Sequence, residues 1–351
     1  MITNVYFKGA PVDYIYKGDE LYYNFTFNPI DLFKEGQVGL IYEPYKIDSL
    51  FQNEAGTTLV TASGDPVALV KDTLLGNNNA KQTLSSARPT YKTNPSRLSL
   101  DKVDDALVIT VPKRIVGTMT IASTTGIATY GVDIPTTGIT LDSRYFPHSN
   151  IVGIVIREGA MLESDRVKLV EYFVSKGAVE SFSQVTSLGL AFYSWDYLTV
   201  LPVLDTPNNT SLRVAFYKCT RITNLPLIDT SKVISFQDTL GSCSSLTQLP
   251  KWDFSKSNTF LNFCYGCTSL SIAHLGLFDN VITGNFKNAF LSTNLTQVSI
   301  DNILTSLVSS GVATGTRIFD QSGGSAPSAT GRAAIDTLRS RGWTVTVTGG
   351  Y

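Results

Sequence analysis

The sequence predicts a mixed, multidomain chain: a β-rich N-terminal half, an α/β solenoid with a 24-residue period, and a small βαβ cap at the C-terminus. Three observations carry this. Trp195, Cys219, Cys243 and Cys267 stand 24 residues apart each time, with apolar residues at matching offsets around them. Short aromatic and β-branched runs, broken by turn residues, fill the chain ahead of that period. A strand, helix, strand pattern closes the sequence. The 351 residues suffice for two or three domains with a sizeable core.

The first elements are short strands. "DYIYKGDELYY" places a Lys-Gly-Asp turn between two aromatic runs, which predicts a hairpin. Phe25 and Phe27 then alternate with polar residues as in a half-buried strand. Residues 1–60 are expected to form an attachment region of hairpins. Residues 61–98 are expected to be a connector with few strands, because "SGDP", "GNNN", "SSARP" and "TNPS" crowd it with turn formers. Residues 99–180 predict a small β domain closed by one helix. Its strand candidates are "DALVITV", "GTMTIAS" and "NIVGIVIRE". The helix lies in "ESDRVKLVEYFVSKG", with Ser164 or Asp165 as cap, Val167, Leu169, Val170 and Phe173 as its apolar side, and Gly177 at its end.

The 24-residue period governs residues 181–300. Counting from the Trp/Cys column, three residues on stand Leu198, Ile222, Leu246 and Leu270. Six on stand Leu201, Leu225, Leu249 and Ala273, and seven on stand Pro202, Pro226, Pro250 and His274. Three before stand Phe192, Phe216, Leu240 and Cys264, and seven before stand Leu188, Leu212, Phe236 and Phe260. A weaker fifth copy, "AFLSTNLTQVSI", fits after a short insertion. A unit of this length cannot bury its apolar side alone, so successive units must stack. The Leu-x-x-Leu stretch is expected as a short strand of a parallel sheet, and the Phe-x-x-Cys stretch as a tight helical turn on the opposite wall.

On these residues, "LPLIDTSKVISFQDTLGSCSSLTQLPKWDFSKSNTFLNFCYGCTSL" resembles the BspA-like branch of leucine-rich repeats, whose units carry an F-x-x-C-x-S-L and D-T-S pattern. The resemblance covers about residues 185–300 and implies surface recognition. Trp195 and His274 depart from the pattern, as end units do. Residues 301–351 predict the cap: a helix in "SIDNILTSLVSSG" beginning near Ser299 or Asp301, a strand in "TRIFD", a helix in "SATGRAAIDTLRSRG" ended by Gly342, and a strand alternating Trp343, Val345 and Val347.

Residues 31–91 carry a second resemblance, to a segment common in tailed-phage virion proteins. The matching features are Gly36 and Gly39, Tyr42 and Pro44, an "LFQ-x-x-AGTT" run, "SGDPV", and an Asn-rich turn leading to Arg88 and Pro89. In that family the position of Ile41 is often Trp and that of Glu43 often Asp. The segment usually precedes a variable outer module, which here would be the β domain with the repeats.

Reactive chemistry is sparse. A net charge of −1 offers no basic footprint for nucleic acid, and no apolar run is long enough to insert in a membrane. The opening residues, "MITNVYFKGAPVDYIYKGDE", show no basic start followed by an apolar core, so a secretory signal is not expected. Cys264 and Cys267 have the spacing of a zinc or redox pair, yet both already belong to repeat columns, so buried reduced thiols are expected. His148 and His274 sit in no catalytic or metal-ligating pattern. "SGGSAPSATG" lacks the Lys-Ser/Thr ending of a phosphate loop and reads as a linker. Asp104 and Asp105 form a carboxylate pair with no visible partner. No catalytic residue, metal or cofactor is therefore assigned.

Two outward columns remain. One is Tyr193, Tyr217 and Tyr265, interrupted by Gly241; the other is Thr199, Thr223, Thr247 and Ser271. Each has a structural reading, partial burial for the tyrosines and β ladders for the threonines, and a functional one as a binding face. The resemblances imply a non-enzymatic bacteriophage tail or fibre protein located in the virion. It would meet other virion proteins through its N-terminal region and a host surface protein or glycan through its repeats, as a homo-oligomer, a trimer by analogy with fibres. A bacterial surface adhesin and a tail-borne polysaccharide hydrolase are the alternatives.

Overall fold

The computed structural model describes residues 5–7, 10–12, 14–17, 20–23, 27–33, 37–74, 78–101, 105–111, 113–142, 150–179, 181–201, 203–313 and 315–351. Among these residues the protein is β-rich, with three α-helices and several antiparallel sheets, none closed into a barrel. The expected hairpin is present as Tyr14–Lys17 paired antiparallel with Glu20–Tyr23, preceded by a pair formed by Val5–Phe7 and Ala10–Val12. Its turn residues Gly18 and Asp19, and Phe25, lie outside the described residues. Phe27 is not in a strand; its ring sits edge-on to Tyr172, 6.1 Å between centroids.

Two antiparallel sheets enclose the first core. The larger runs in the order 198–200, 127–134, 115–123, 150–158, 97–99, 90–92, with strand 39–42 also paired to 150–158. The smaller runs 139–142, 106–109, 80–81, 69–70, 50–51. Met119, Ile121, Tyr130, Val132, Ile154 and Ile156 of the larger sheet share one buried cluster with Leu50, Val70, Leu107, Ile109 and Leu141 of the smaller. Residues 61–98, the expected turn-rich connector, contribute to these sheets. Its short strands 69–70, 80–81, 90–92 and 97–99 are built into both sheets, where they satisfy backbone groups that loops would leave to water.

Helix α1, Glu163–Ser175, covers the far face of the larger sheet. Leu169, Val170 and Phe173 pack there with Ile41, Val152 and Val155. Gly153 makes room for this, since a Cβ there would stand 2.0 Å from the Phe173 ring. Two expectations are corrected. Val167 is exposed, 42%, and lies off the apolar face. The helix begins before Ser164 and Asp165, behind Leu162, whose carbonyl accepts from the backbone of Asp165 and Arg166 without any side-chain cap. Glu163 and Asp165 instead place negative charge at the positive end of the helix dipole. Gly177 follows the helix end at φ +95°, as expected.

From residue 188 onward, successive 24-residue coils are bonded to one another. Leu188, Leu190, Phe192 and Ser194 donate backbone bonds to Ser211, Arg213, Ala215 and Tyr217 at 2.8–3.0 Å, and the pattern recurs coil after coil. The intervening residues close turns within the coil, as in Trp195 to Phe192 and Cys219 to Phe216. This alternation requires left-handed residues four apart: Leu190 and Ser194, Val214 and Lys218, Asp238 and Ser242, Asn262 and Gly266. The Phe-x-x-Cys wall is therefore a run of turns rather than the expected helical turn. Rings stack through it, Phe192 on Phe216 at 5.3 Å, and Phe236 on Phe260 on Phe286 at 5.7 and 4.5 Å.

The Leu-x-x-Leu wall also differs. Only its first copy, Leu198–Val200, is a strand, and it pairs antiparallel with 127–134. Later copies meet through isolated parallel bridges such as Gln248 with Ile272. The turn wall already supplies the regular ladder between coils, leaving this side joined by single contacts. Strand 198–200 belongs to the large sheet, and Tyr130 packs edge-on against Phe192 and Trp195, so the first coil packs directly on the β-rich half. One cluster of buried residues runs from Leu40 to Val347.

The last coil leads directly into the cap. Strand 284–290, a parallel strand 317–321 and a parallel strand 344–346 form one sheet, with α2 (Gln297–Ser310) and α3 (Ala329–Ser340) in the two connections. Strand 284–290 and the start of α2 lie ahead of residue 301. Thr296, not Ser299 or Asp301, caps α2, its hydroxyl accepting from the Ser299 backbone at 3.3 Å. Asp301 reaches across to the start of α3 and accepts from the Ser328 backbone at 3.1 Å. Gly342, at φ +82°, follows α3 as expected.

Candidate functional site

The two candidate columns occupy different walls. The tyrosines follow the inward Phe column on the turn wall; the hydroxyls follow the inward Leu column on the opposite wall. The structure brings the tyrosines together in part. Tyr193 and Tyr217 stack, 5.6 Å between centroids and 10° between planes. The Tyr217 ring then leans over Gly241, where a Cβ would come within 2.6 Å of it. Gly241 is thus a seat for the neighbouring ring, and Tyr265, 43% exposed, stands apart on the far side of it. The Lys218 ammonium lies 5.7 Å over the Tyr217 ring and adds a cation–π contact.

The hydroxyl column is largely consumed by the stack. Thr247 Oγ1 donates to the Thr223 carbonyl and Ser271 Oγ to the Thr247 carbonyl, both at 3.3 Å, beside backbone bonds between the same residues. These threonines serve as rungs between coils. Thr199 is not an open outward position: it is half-buried and packs on the large sheet, with a Cβ at Gly131 falling 3.0 Å from its Oγ1. Strand pairing of the first coil, invisible in the period itself, removes it from the face.

A cleft of about 300 Å³ opens at the head of the tyrosine pair. One side is the first turn wall, Tyr193–Tyr197; the other is the turn 137–140 and Val108. Gly138 holds that turn at φ +81°. The Asp196 carboxylate and the hydroxyls of Ser194, Thr137 and Thr140 line the cleft without a side-chain partner among the described residues. The period did not reveal this site, because half of it comes from the β domain. A second cleft, about 500 Å³, lies where the repeat breaks, between Lys251–Ser255 and His274–Leu277. His274, which stands where the preceding units carry Pro, lines it and is half-buried.

The four cysteines are buried and unpaired. Cys219, Cys243 and Cys267 stand one above another, each donating its thiol hydrogen to the carbonyl 27 residues back: Phe192, Phe216 and Leu240, at 2.9–3.0 Å. Burial pushes the thiols of Cys219, Cys243 and Cys264 well up, so they are poor nucleophiles and poor metal ligands. Among the described residues no group of three His, Cys, Asp or Glu is placed to hold a metal ion. His148 and Asp104 lie outside those residues. Asp105 is buried and accepts from the Asp101 backbone at 2.8 Å, a loop closure.

No family model, curated protein or solved structure matches this chain. The chemistry of its sites rests on its own residues.

Two buried carboxylates, Asp133 and Glu43, hold elements together. Asp133 accepts a fork from Arg114, with Arg114 Nε at 2.6 Å, and a further bond from Arg221 of the second coil. The Arg114 fork, with Arg221, holds its carboxyl below the usual range. Glu43 receives Tyr172 at 2.8 Å, Thr73 at 2.7 Å, and Tyr45 and Lys46. Burial raises this carboxyl, but those bonds outweigh burial and keep it low. Lys176 lies 5.1 Å over the Tyr172 ring. Both clusters clamp elements distant in sequence, the large sheet to the repeats and segment 39–46 to α1. Among the described residues, no helix is long and apolar enough to cross a membrane.

Proposed function

We propose that this chain is a non-enzymatic structural component of a bacteriophage tail or fibre, and that residues 181–300 act as a leucine-rich-repeat solenoid of the BspA-like kind for recognition. In this reading the β-rich half and the 301–351 cap brace the two ends of the solenoid. The N-terminal region contacts other virion proteins and sister subunits, in a homotrimer. The observation that carries the reading is the stacked pair Tyr193–Tyr217, held at the surface of a hydrogen-bonded coil ladder and opening onto a polar cleft. Tyrosine offers a stiff, amphipathic contact at low entropic cost. Buried Glu43, Asp133 and the thiols of Cys219, Cys243 and Cys267 are engaged in structural bonds.

The test uses the purified full chain. Light scattering reads its oligomeric state, and fluorescently labelled protein is incubated with a panel of bacterial strains. Saturable attachment to a subset of strains, by a trimer, is the expected outcome. Release of reducing sugar from isolated capsular polysaccharide would instead establish a hydrolase and overturn the non-enzymatic assignment.

A further inference from the structure

We infer that the guanidinium groups of Arg114 and Arg221 form a binding site for an oxyanion, a phosphate or sulfate group, where the β-rich half meets the coils. Arg114 stands just ahead of the strand Ile115–Ser123, and Arg221 lies in the second coil. Both reach the carboxylate of Asp133, on the strand Ile127–Ile134. Arg114 donates a fork, Nε to Oδ1 at 2.6 Å and Nη2 to Oδ2, which already engages both carboxylate oxygens. Arg221 Nη1 donates to the same Oδ2. Two cations therefore meet at one oxygen of one anion. Among the described residues neither arginine has another carboxylate within ion-pair distance, so the cluster carries a positive charge in excess.

A clamp needs only the Arg114 fork. A second guanidinium at the same oxygen sets like charges side by side, which an outside anion relieves. The excess charge is within reach of solvent. The Arg114 and Arg221 side chains are 62% and 42% exposed, whereas Asp133 beneath them is 9% exposed. Arg114 Nη1 and Arg221 Nε and Nη2 have no partner among the described residues. Guanidinium is weakly hydrated, and its planar fork matches the oxygens of phosphate or sulfate better than it does a halide. A doubly charged tetrahedral ion has enough oxygens to accept from both groups at once. A carboxylate, with two oxygens and one charge, serves the pair less well. Bound there, the oxyanion would tie the β-rich half to the second coil beside Asp133 and complete an alternation of charge across the junction. The pair does not rest on the recognition reading above.

Phosphorus NMR on the full chain, in chloride buffer at constant ionic strength, tests the site with inorganic phosphate and methyl phosphate as probes. Both signals are expected to broaden saturably, and sulfate is expected to displace them more readily than acetate. Tighter binding of methyl phosphate would mark an esterified group as the source, and tighter or equal binding of inorganic phosphate the free ion; either supports the site. Arg114→Gln and Arg221→Gln should each weaken phosphate binding about tenfold, the loss of one charge-assisted contact at an exposed position. Each variant leaves Asp133 paired with the other arginine, and near-ultraviolet circular dichroism checks that it is folded. A readout that needs no variant is modification by phenylglyoxal, followed by peptide mass spectrometry. Phosphate should protect Arg114 and Arg221 while the exposed Arg213 is labelled as before. Absence of saturable broadening, displacement by acetate as ready as by sulfate, or unchanged binding in either folded variant overturns the site. Labelling of Arg114 and Arg221 that is the same with and without phosphate also overturns it.

Discussion

Position 262 offers the sharpest probe of how the coils are held. Asn262 has φ +54° and lies in the column of left-handed residues with Leu190, Val214 and Asp238. Its side chain also bridges coils: Nδ2 donates to Asp238 Oδ1 at 2.9 Å, and Oδ1 accepts from Asn288 Nδ2 at 3.1 Å. Asn262→Gly keeps the backbone comfortable and deletes both bonds, a loss of about 2 kcal/mol at roughly 1 kcal/mol each. Asn262→Val deletes the same bonds and adds the left-handed penalty of an L-residue, roughly 1–2 kcal/mol, for a total of about 3–4 kcal/mol. Urea unfolding followed by tryptophan fluorescence reads the difference as a shift in midpoint at constant slope. The Val variant should unfold at clearly lower urea than the Gly variant. Equal midpoints would refute the argument, because the backbone of the turn wall would then not require its left-handed positions. The native chain contains the converse case. Val214 already carries this penalty at φ +60°, so Val214→Gly should be nearly neutral, with conformational relief offsetting lost packing.

The remaining predictions concern thiols and acid. All four cysteines are buried, so a thiol reagent should find essentially none in the native protein and all four after unfolding in urea; rapid native labelling would disprove the coil stacking. Cys243→Ala should cost about 1–2 kcal/mol, from one lost buried atom and one weak S–H bond. The Phe216 carbonyl that the thiol serves keeps its bond from the Cys219 backbone at 3.0 Å. Glu43 and Asp133 both have folded-state values held below their ordinary ones. Their contribution is therefore fully present above the unfolded carboxyl values near 4 and is lost as pH falls through the lower folded values. Stability should stay flat from neutral pH to about 5 and drop below about 4, and Glu43→Gln should flatten part of that drop. A decline beginning near pH 6 would point to a different group.

How much of this was legible in the sequence depended on repetition. The stacked Cys and Phe columns could be read because several copies voted for each position, and coordinates place Cys219, Cys243 and Cys267 in one row. "NIVGIVIRE" could be read because a buried strand needs only a continuous apolar run, and it is the strand Asn150–Glu158 as written. Strands 69–70 and 80–81 are two residues long, too short to show any alternation, so the stretch containing them looked like loop. The turn wall escaped for another reason. Its left-handed residues are Leu190, Val214 and Lys218 as well as Asn262 and Gly266, so the usual Gly and Asn signal was present in only some copies.

The candidate site divides along the same line. The tyrosine column is a property of the period and was visible; its interruption at Gly241 was visible too, but its meaning was not, since only coordinates show the Tyr217 ring occupying that space. The Asp196 cleft depends on the 137–140 turn and the 127–134 strand meeting the first coil, contacts between segments far apart in the chain that no local pattern encodes. That same junction took Thr199 out of the face by pairing its strand. A glycine inside an otherwise regular strand, as at Gly131, was the one local hint that another backbone approaches there. The physical consequence is directional: coils beyond the first are interchangeable in their mutual bonds, whereas the first is specified by the sheet it docks on. Any surface unique to this protein is therefore expected at that junction, where the repeat ends and the β domain begins.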